Sequence, residues 1–277
     1  MAKNEMALVI GGTGKTGRRV VERLQRLGFS YRVGSRAAQP VFDWQERKTW
    51  PAALDGADRA YVTYYPDVCV PGALETVRSF FELAVDSGVR RLVFLSGRGE
   101  VEAERAEQAL KESGADWTIL RCSFFSQNFS ESFFLDPILA GEVTLPVGPV
   151  GEPFVDAEDI ADVAVAALTN EDHSRKLYEL TGPRALTFTD AIAEISRATG
   201  RPIQYISVSS EQYRKALTHA QVPADMIDLL LYLFGTVLDG RNTRVANGVR
   251  QALGSAPRDF SDYVRRTAAT GVWGGPA

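Results

Sequence analysis

The stretch VIGGTGKTG, residues 9–17, decides the fold. Its Gly14-Lys15-Thr16 is how the phosphate loop of a nucleotide hydrolase ends. That loop needs another glycine at the position held here by Val9, inside an apolar run, so the hydrolase pattern is absent. Two overlapping dinucleotide patterns fit instead, Gly12-x-Gly14-x-x-Gly17 and the longer-turned Gly11-x-x-Gly14-x-x-Gly17. In both, Gly14 lets backbone amides approach a pyrophosphate and Gly17 lets the helix lie close on the sheet. The helix N-terminus then offers free N–H groups to the anion.

Working outward, MALVI (6–10) reads as a buried parallel strand, and 15–28 as a helix with Val20, Val21, Leu24 and Leu27 on one face. Further strands are expected at 31–36, 41–44, 59–65, 90–96 and 116–121, with helices at 71–88 and 100–114. Parallel strands need such crossovers, so the fold class is α/β, a doubly wound Rossmann-type sheet. Beyond Arg121 the alternation loosens into a smaller, partly helical lobe. Helices are expected at 155–170 and 187–200 and in three later segments, with strands at 176–182 and 202–208. The expected division is 1–123 with 156–182 for the nucleotide domain, and 124–155 with 183–277 for the lobe.

Composition narrows the function. The net charge of -4 gives no electrostatic case for nucleic acid. Two cysteines and two histidines, widely separated, make no metal or disulfide pattern. No apolar run is long enough to span a bilayer, and MAKNEMALVIGG enters the motif without a leader, so a cytoplasmic protein is expected.

The end of the second strand reads Gly34-Ser35-Arg36, where an NAD binder usually has an acid. A guanidinium there can grip a 2′-phosphate and Ser35 can donate to it, which favours NADP, with NAD still open. Asp43 is a candidate for the adenine amine. Thr13, Lys15 and Thr16 complete the phosphate turn. Lys15 reads equally well as a phosphate contact and as a solvated surface residue.

Together VIGGTGKTGRRV, GSR, FDW, GVRRLVFLSGRG, ADWTILRCSFFSQNF and PFVDAEDIADVAVAAL resemble the NmrA-like, atypical short-chain dehydrogenase/reductases. GGTGKTG and YYPD are most similar to the ergot-alkaloid-type reductase branch. The resemblance covers nearly the whole chain. It implies cofactor contacts at Tyr64, Tyr65 and Pro66, at Ser96 and Gly97, and at Cys122, Ser123, Phe124 and Phe125. The family spans quinone, iminium, dye and phenylpropanoid reductases as well as non-catalytic nucleotide sensors.

Typical short-chain dehydrogenases use Tyr-x-x-x-Lys as proton relay. None of the nine tyrosines here has a lysine four residues on. A ketone needs a proton donor beside its oxygen. An iminium or cationic dye needs hydride alone, and a quinone accepts hydride readily. The expected activity is therefore NAD(P)H-dependent reduction of a bulky, electron-poor aromatic molecule of quinone or iminium type. Secondary metabolism is one setting, and re-oxidation of a hydroquinone by oxygen could couple the reaction to hydroxylation. Weak candidates for the donor are Tyr64, Tyr65, Ser96 and Arg98. In CSFFSQNFSESFF, core packing and substrate stacking compete as readings, and Phe125, Gln127, Asn128 and Phe129 are the substrate candidates. The alternative function is a nucleotide-binding sensor without turnover. Oligomeric state is not readable.

Overall fold

The computed structural model describes residues 5–274. The chain begins β1 (Met6–Ile10), α1 (Lys15–Arg26), β2 (Ser30–Gly34), α2 (Trp50–Leu54), β3 (Arg59–Val62), α3 (Ala73–Asp86), β4 (Arg91–Gly97), α4 (Val101–Glu112) and β5 (Asp116–Cys122). It continues through α5 (Leu135–Ala140), β6 (Glu142–Leu145), α6 (Ala157–Thr169), β7 (Lys176–Leu180), α7 (Phe188–Thr199) and β8 (Gln204–Ser207). It ends with α8 (Ser210–His219), α9 (Ala224–Tyr232), α10 (Gly248–Leu253) and α11 (Phe260–Ala268).

Two compact units result. The first comprises the chain up to Cys122, Ala157–Leu180 and Asn247–Ser255. Among the described residues, six strands make its sheet in the order β2-β1-β3-β4-β5-β7, every neighbour parallel. All carboxyl ends therefore lie along one edge, with the order reversing between β1 and β3, where open α/β sheets bind ligands. The strands are short and apolar because both faces are covered: Ala7 to Ile10 and Ala60 to Val62 are buried. Helix α1 is fastened to α6 by ion pairs. Arg19 and Arg23 each reach Glu158 at 2.7 Å, and Arg23 reaches Asp162 at 2.5 Å. The acidic first turn of α6, which suits its dipole, thus also holds α1 in place.

The strand expected at 41–44 does not form. Phe42 and Trp44 are buried by a folded loop that pairs with no neighbouring strand. Phe42 N–H donates to the Ser35 carbonyl at 3.0 Å, and the Trp44 indole donates to the Thr63 carbonyl at 3.0 Å. Their rings pack edge-on to each other and to Phe80. Ring burial gave this run its strand-like appearance.

The second unit comprises Ser123–Asp156, Thr181–Ala246 and the chain from Ala256 on. It holds the two-stranded parallel sheet β6-β8. Strand β6 escapes the sequence reading because EVTL has only two inward residues, Val143 and Leu145. The core is aromatic, built on Phe129, Phe134, Phe154, Phe188, Phe234 and Trp273. Helices α7 and α8 each start in a full capping box, Thr187 with Asp190 and Ser209 with Gln212.

Candidate functional site: the carboxyl edge of the first unit

The glycine turn follows β1 directly. Gly11 takes φ +68°, a conformation glycine adopts freely, and its N–H donates to the Gly34 carbonyl at 2.9 Å. Gly14 N–H closes the turn on the Gly11 carbonyl at 2.8 Å. A Cβ on Gly17 would stand 2.1 Å from the Gly11 oxygen, and one on Gly12 2.9 Å from Val33 Cγ1. Gly11 thus makes the turn, Gly12 fits under β2, and Gly17 admits the helix. Gly14 differs, since a Cβ there would meet only the Gly11 oxygen, at 3.2 Å. It stands exposed at the N-cap of α1, with no side-chain cap and no acid in the first turn. The helix keeps its positive end and its amides open to an anion. Thr13 is exposed beside Gly14, Lys15 is half-buried and Thr16 is buried.

At the end of β2 the Ser35 hydroxyl is buried and has no hydrogen-bond partner among the described residues. Arg36 beside it is exposed, and no ion pair holds it among those residues. A buried orphan hydroxyl next to a free guanidinium fits a phosphate or ribose oxygen. Asp43 is half-buried, and its side chain accepts from Gln45 N–H at 3.0 Å. These features, with the uncapped turn, fit an NAD(P) dinucleotide.

The loops after β3 and β4 come next along the edge. Tyr64 packs on Trp44 with ring centroids 5.0 Å apart, while Tyr65 is 69% exposed and Pro66 is exposed. Ser96 is committed: its hydroxyl donates to Glu107 Oε1 at 2.6 Å. Glu107, 0% exposed, is gripped by Arg121 Nε at 2.8 Å and Nη2 at 2.5 Å. The Glu107 hydrogen bonds push the Arg121 guanidinium still higher, against the opposing effect of burial. Arg98 is buried, with Nη2 3.6 Å from Glu179. Of the four donor candidates, only Tyr65 presents itself openly.

The sequence reading missed a trio here. Asp67, Cys69 and Glu100 bring a carboxylate oxygen, a thiol and a second carboxylate oxygen within 4.8 Å of one another. Cys69 N–H donates to Asp67 Oδ1 at 3.0 Å. Glu100 is only 7% exposed, and its Oε2 has no hydrogen-bond partner among the described residues. Gly97 makes room for it: a Cβ there would lie 2.1 Å from Glu100 Oε1. Burial, and then the nearby Asp67 charge, push the Glu100 carboxyl up to about 9. Burial and Asp67 likewise push the Cys69 thiol up. Glu100 sits at the N-cap of α4 without capping it.

Cys122 ends β5, buried, and burial pushes its thiol up. The remaining candidates lie in the second unit. The Ser123 hydroxyl donates to the Pro153 carbonyl at 2.6 Å, and Phe124 N–H donates to Glu152 Oε1 at 2.9 Å. Gln127 is buried and donates to Asp156 Oδ1 at 2.7 Å, and Asn128 is buried too. Phe129, 0% exposed, packs among Phe134, Phe154, Phe188 and Phe260. Phe129 thus belongs to that core and the half-buried Phe124 packs against it, whereas Phe125 is half-buried and Phe133 is 42% exposed.

Comparison with known proteins agrees with this geometry. The NmrA-like family pattern matches residues 103–263, and an NAD(P)H-binding pattern matches 11–171. The NAD(P)H azoreductase of Xenophilus azovorans is 30% identical, over 95% of this chain and 98% of its own. Agroclavine dehydrogenase of Claviceps fusiformis is 29% identical, over 93% of this chain and 95% of its own. An NADPH-dependent quinone oxidoreductase of Escherichia coli, solved with NADPH, shares the fold at TM-score 0.79 and 20% identity. That match covers 94% of this chain and 99% of the other. The cofactor is NAD(P)H, and the chain belongs to the NmrA-like family, among its NAD(P)H-dependent reductases.

Proposed function

We propose that this protein transfers hydride from NADPH to a bulky, flat, electron-poor acceptor of quinone or iminium type. The observation that carries the reading is the uncapped glycine turn at the carboxyl end of β1, followed along the same edge by Ser35 and Arg36. Together they suit a pyrophosphate and a 2′-phosphate. The acceptor class is supported by chemistry: with no Tyr-x-x-x-Lys in the chain, substrates that take hydride readily are favoured. The relatives' names point the same way, to an azo-compound reductase and a clavine dehydrogenase. The half-buried Phe125 and the 42% exposed Phe133 are the aromatic candidates for stacking on a flat ring system. A quinone acceptor would give a hydroquinone, which oxygen can re-oxidise, so a role beside a hydroxylation in secondary metabolism is part of the proposal.

The test is to mix the pure protein with NADPH and a panel of polycyclic quinones and iminium compounds. Reduced-nicotinamide absorbance should fall faster than without protein; equal rates across the panel overturn the reading. Arg36→Ala should raise the KM for NADPH about tenfold, the value of one charge-assisted contact, and leave that for NADH within about twofold. Equal changes for the two cofactors would remove the case for the 2′-phosphate.

A further inference from the structure

The reductase reading leaves the proton step without an enclosed acid: of the donor candidates only Tyr65 is open, and at 69% exposure it is a solvated phenol. Quinone or azo reduction needs a proton as well as hydride, and the usual tyrosine is missing. Ser96 is bound to Glu107, and Arg98 lies against Glu179. The loops after β3 and β4 nevertheless hold an acid of another kind. Glu100 is more than nine-tenths buried, its Oε2 has no hydrogen-bond partner among the described residues, and the carboxyl shares a 4.8 Å cluster with Asp67 and Cys69. These loops stand at the carboxyl ends of the two strands next after the glycine-turn strand. In a doubly wound sheet that is the half where the second nucleotide of a dinucleotide lies.

We infer that the Glu100–Asp67 carboxyl pair is the proton source of this reductase, in place of the absent tyrosine and lysine. The inference rests on the proposed hydride transfer. Glu100 holds the proton in the interior, and the half-buried Asp67 connects it to the surface. Burial and the Asp67 charge keep Glu100 neutral at physiological pH. After burial and Asp67 come the Cys69 thiol, whose hydrogen bond lowers it, and, from the first turn of α4, the Glu102 charge, which raises it. The positive end of α4, at whose N-cap Glu100 stands, acts in the opposite direction. In the reaction, hydride from the reduced nicotinamide bonds to one end of the acceptor's conjugated system. The displaced electron pair takes the proton at oxygen or nitrogen. The carboxylate left on the pair regains its proton from water.

The experiment compares wild type, Glu100→Gln and Asp67→Asn with two acceptors, a quinone and a cationic triarylmethane dye that needs hydride alone. Both variants should lose quinone turnover about 100-fold, the scale of general-acid catalysis, and keep dye decolourisation within about twofold. The wild-type quinone rate should fall as pH rises through about 9, and Glu100→Gln should lack that step. Infrared spectra of the cofactor-free wild type at neutral pH should contain a protonated-carboxyl band that is missing from Glu100→Gln. Quinone turnover unchanged in Glu100→Gln overturns the inference. So does equal loss with both acceptors, an absent carboxyl band, or quinone activity abolished by a chelator and restored by a divalent cation. A wild type that oxidises NADPH with neither acceptor sinks the reductase reading and the inference with it.

Discussion

Glu100 and Glu107 are both buried, both acidic and only two helical turns apart, yet their surroundings are opposite. Glu107 is fully enclosed and fully partnered, by two nitrogens of Arg121 and by the Ser96 hydroxyl. Glu100 is nearly as enclosed, has no cation among the causes of its shift, and stands beside a second acid with its Oε2 unpartnered among the described residues. Burial alone therefore says little about what a carboxyl does; its partners decide. A gripped carboxylate ties α4 to β4 and β5 and contributes order. An ungripped one holds a proton and is a standing cost to the fold, the pattern expected where function and stability compete.

The comparison is broken most severely by Glu107→Ala. Removing one member of a buried pair strands Arg121, and the expected loss is about 3–5 kcal/mol, read from urea unfolding. A loss below about 1 kcal/mol would mean that Arg121 finds equivalent partners in Glu104 and Glu179, which lie 3.4 and 3.7 Å away. Ser96→Ala should act more weakly on the same network. It deletes one hydrogen bond to a charged acceptor, so about 1.5–3 kcal/mol is expected. A neutral result would show that the 2.6 Å contact does not tie β4 to α4.

The contrast also marks what the sequence could disclose. The glycine turn was legible because its constraints are local: φ +68° at Gly11 and the 2.1 Å clash at Gly17 admit no other residue without strain. The parallel sheet was legible from apolar runs alternating with helical spacing. VFDW misled because ring burial and strand burial look alike over four residues, and EVTL was overlooked because two inward residues make no pattern. Helix α1, which starts without a cap, was legible from the glycine pattern and from Val20, Val21, Leu24 and Leu27 on one face. Glu100 could not be found this way. Its environment is made by Gly97 at the end of β4 and by Asp67 and Cys69 from the loop after another strand, and no short window of sequence contains them all.

The finest test of the comparison is the stability of Glu100→Gln, where the sign is opposite to that at Glu107. The folded state holds the Glu100 proton up to about pH 9, whereas the unfolded chain releases it near the ordinary glutamate value. Below about pH 4 both states are protonated and the wild type has the full benefit. As pH rises the folded state binds more protons than the unfolded, so wild-type stability falls until the folded group itself titrates. Glutamine has no proton to lose and feels none of this slope. Its amide still needs partners in the same space, which offsets much of the gain. Melting curves across this range should therefore show Glu100→Gln more stable than wild type by about 1–2 kcal/mol near pH 8, with the difference closing toward pH 4. A variant less stable than wild type at every pH would mean that Glu100 is anchored like Glu107. The difference between the two acids would then disappear.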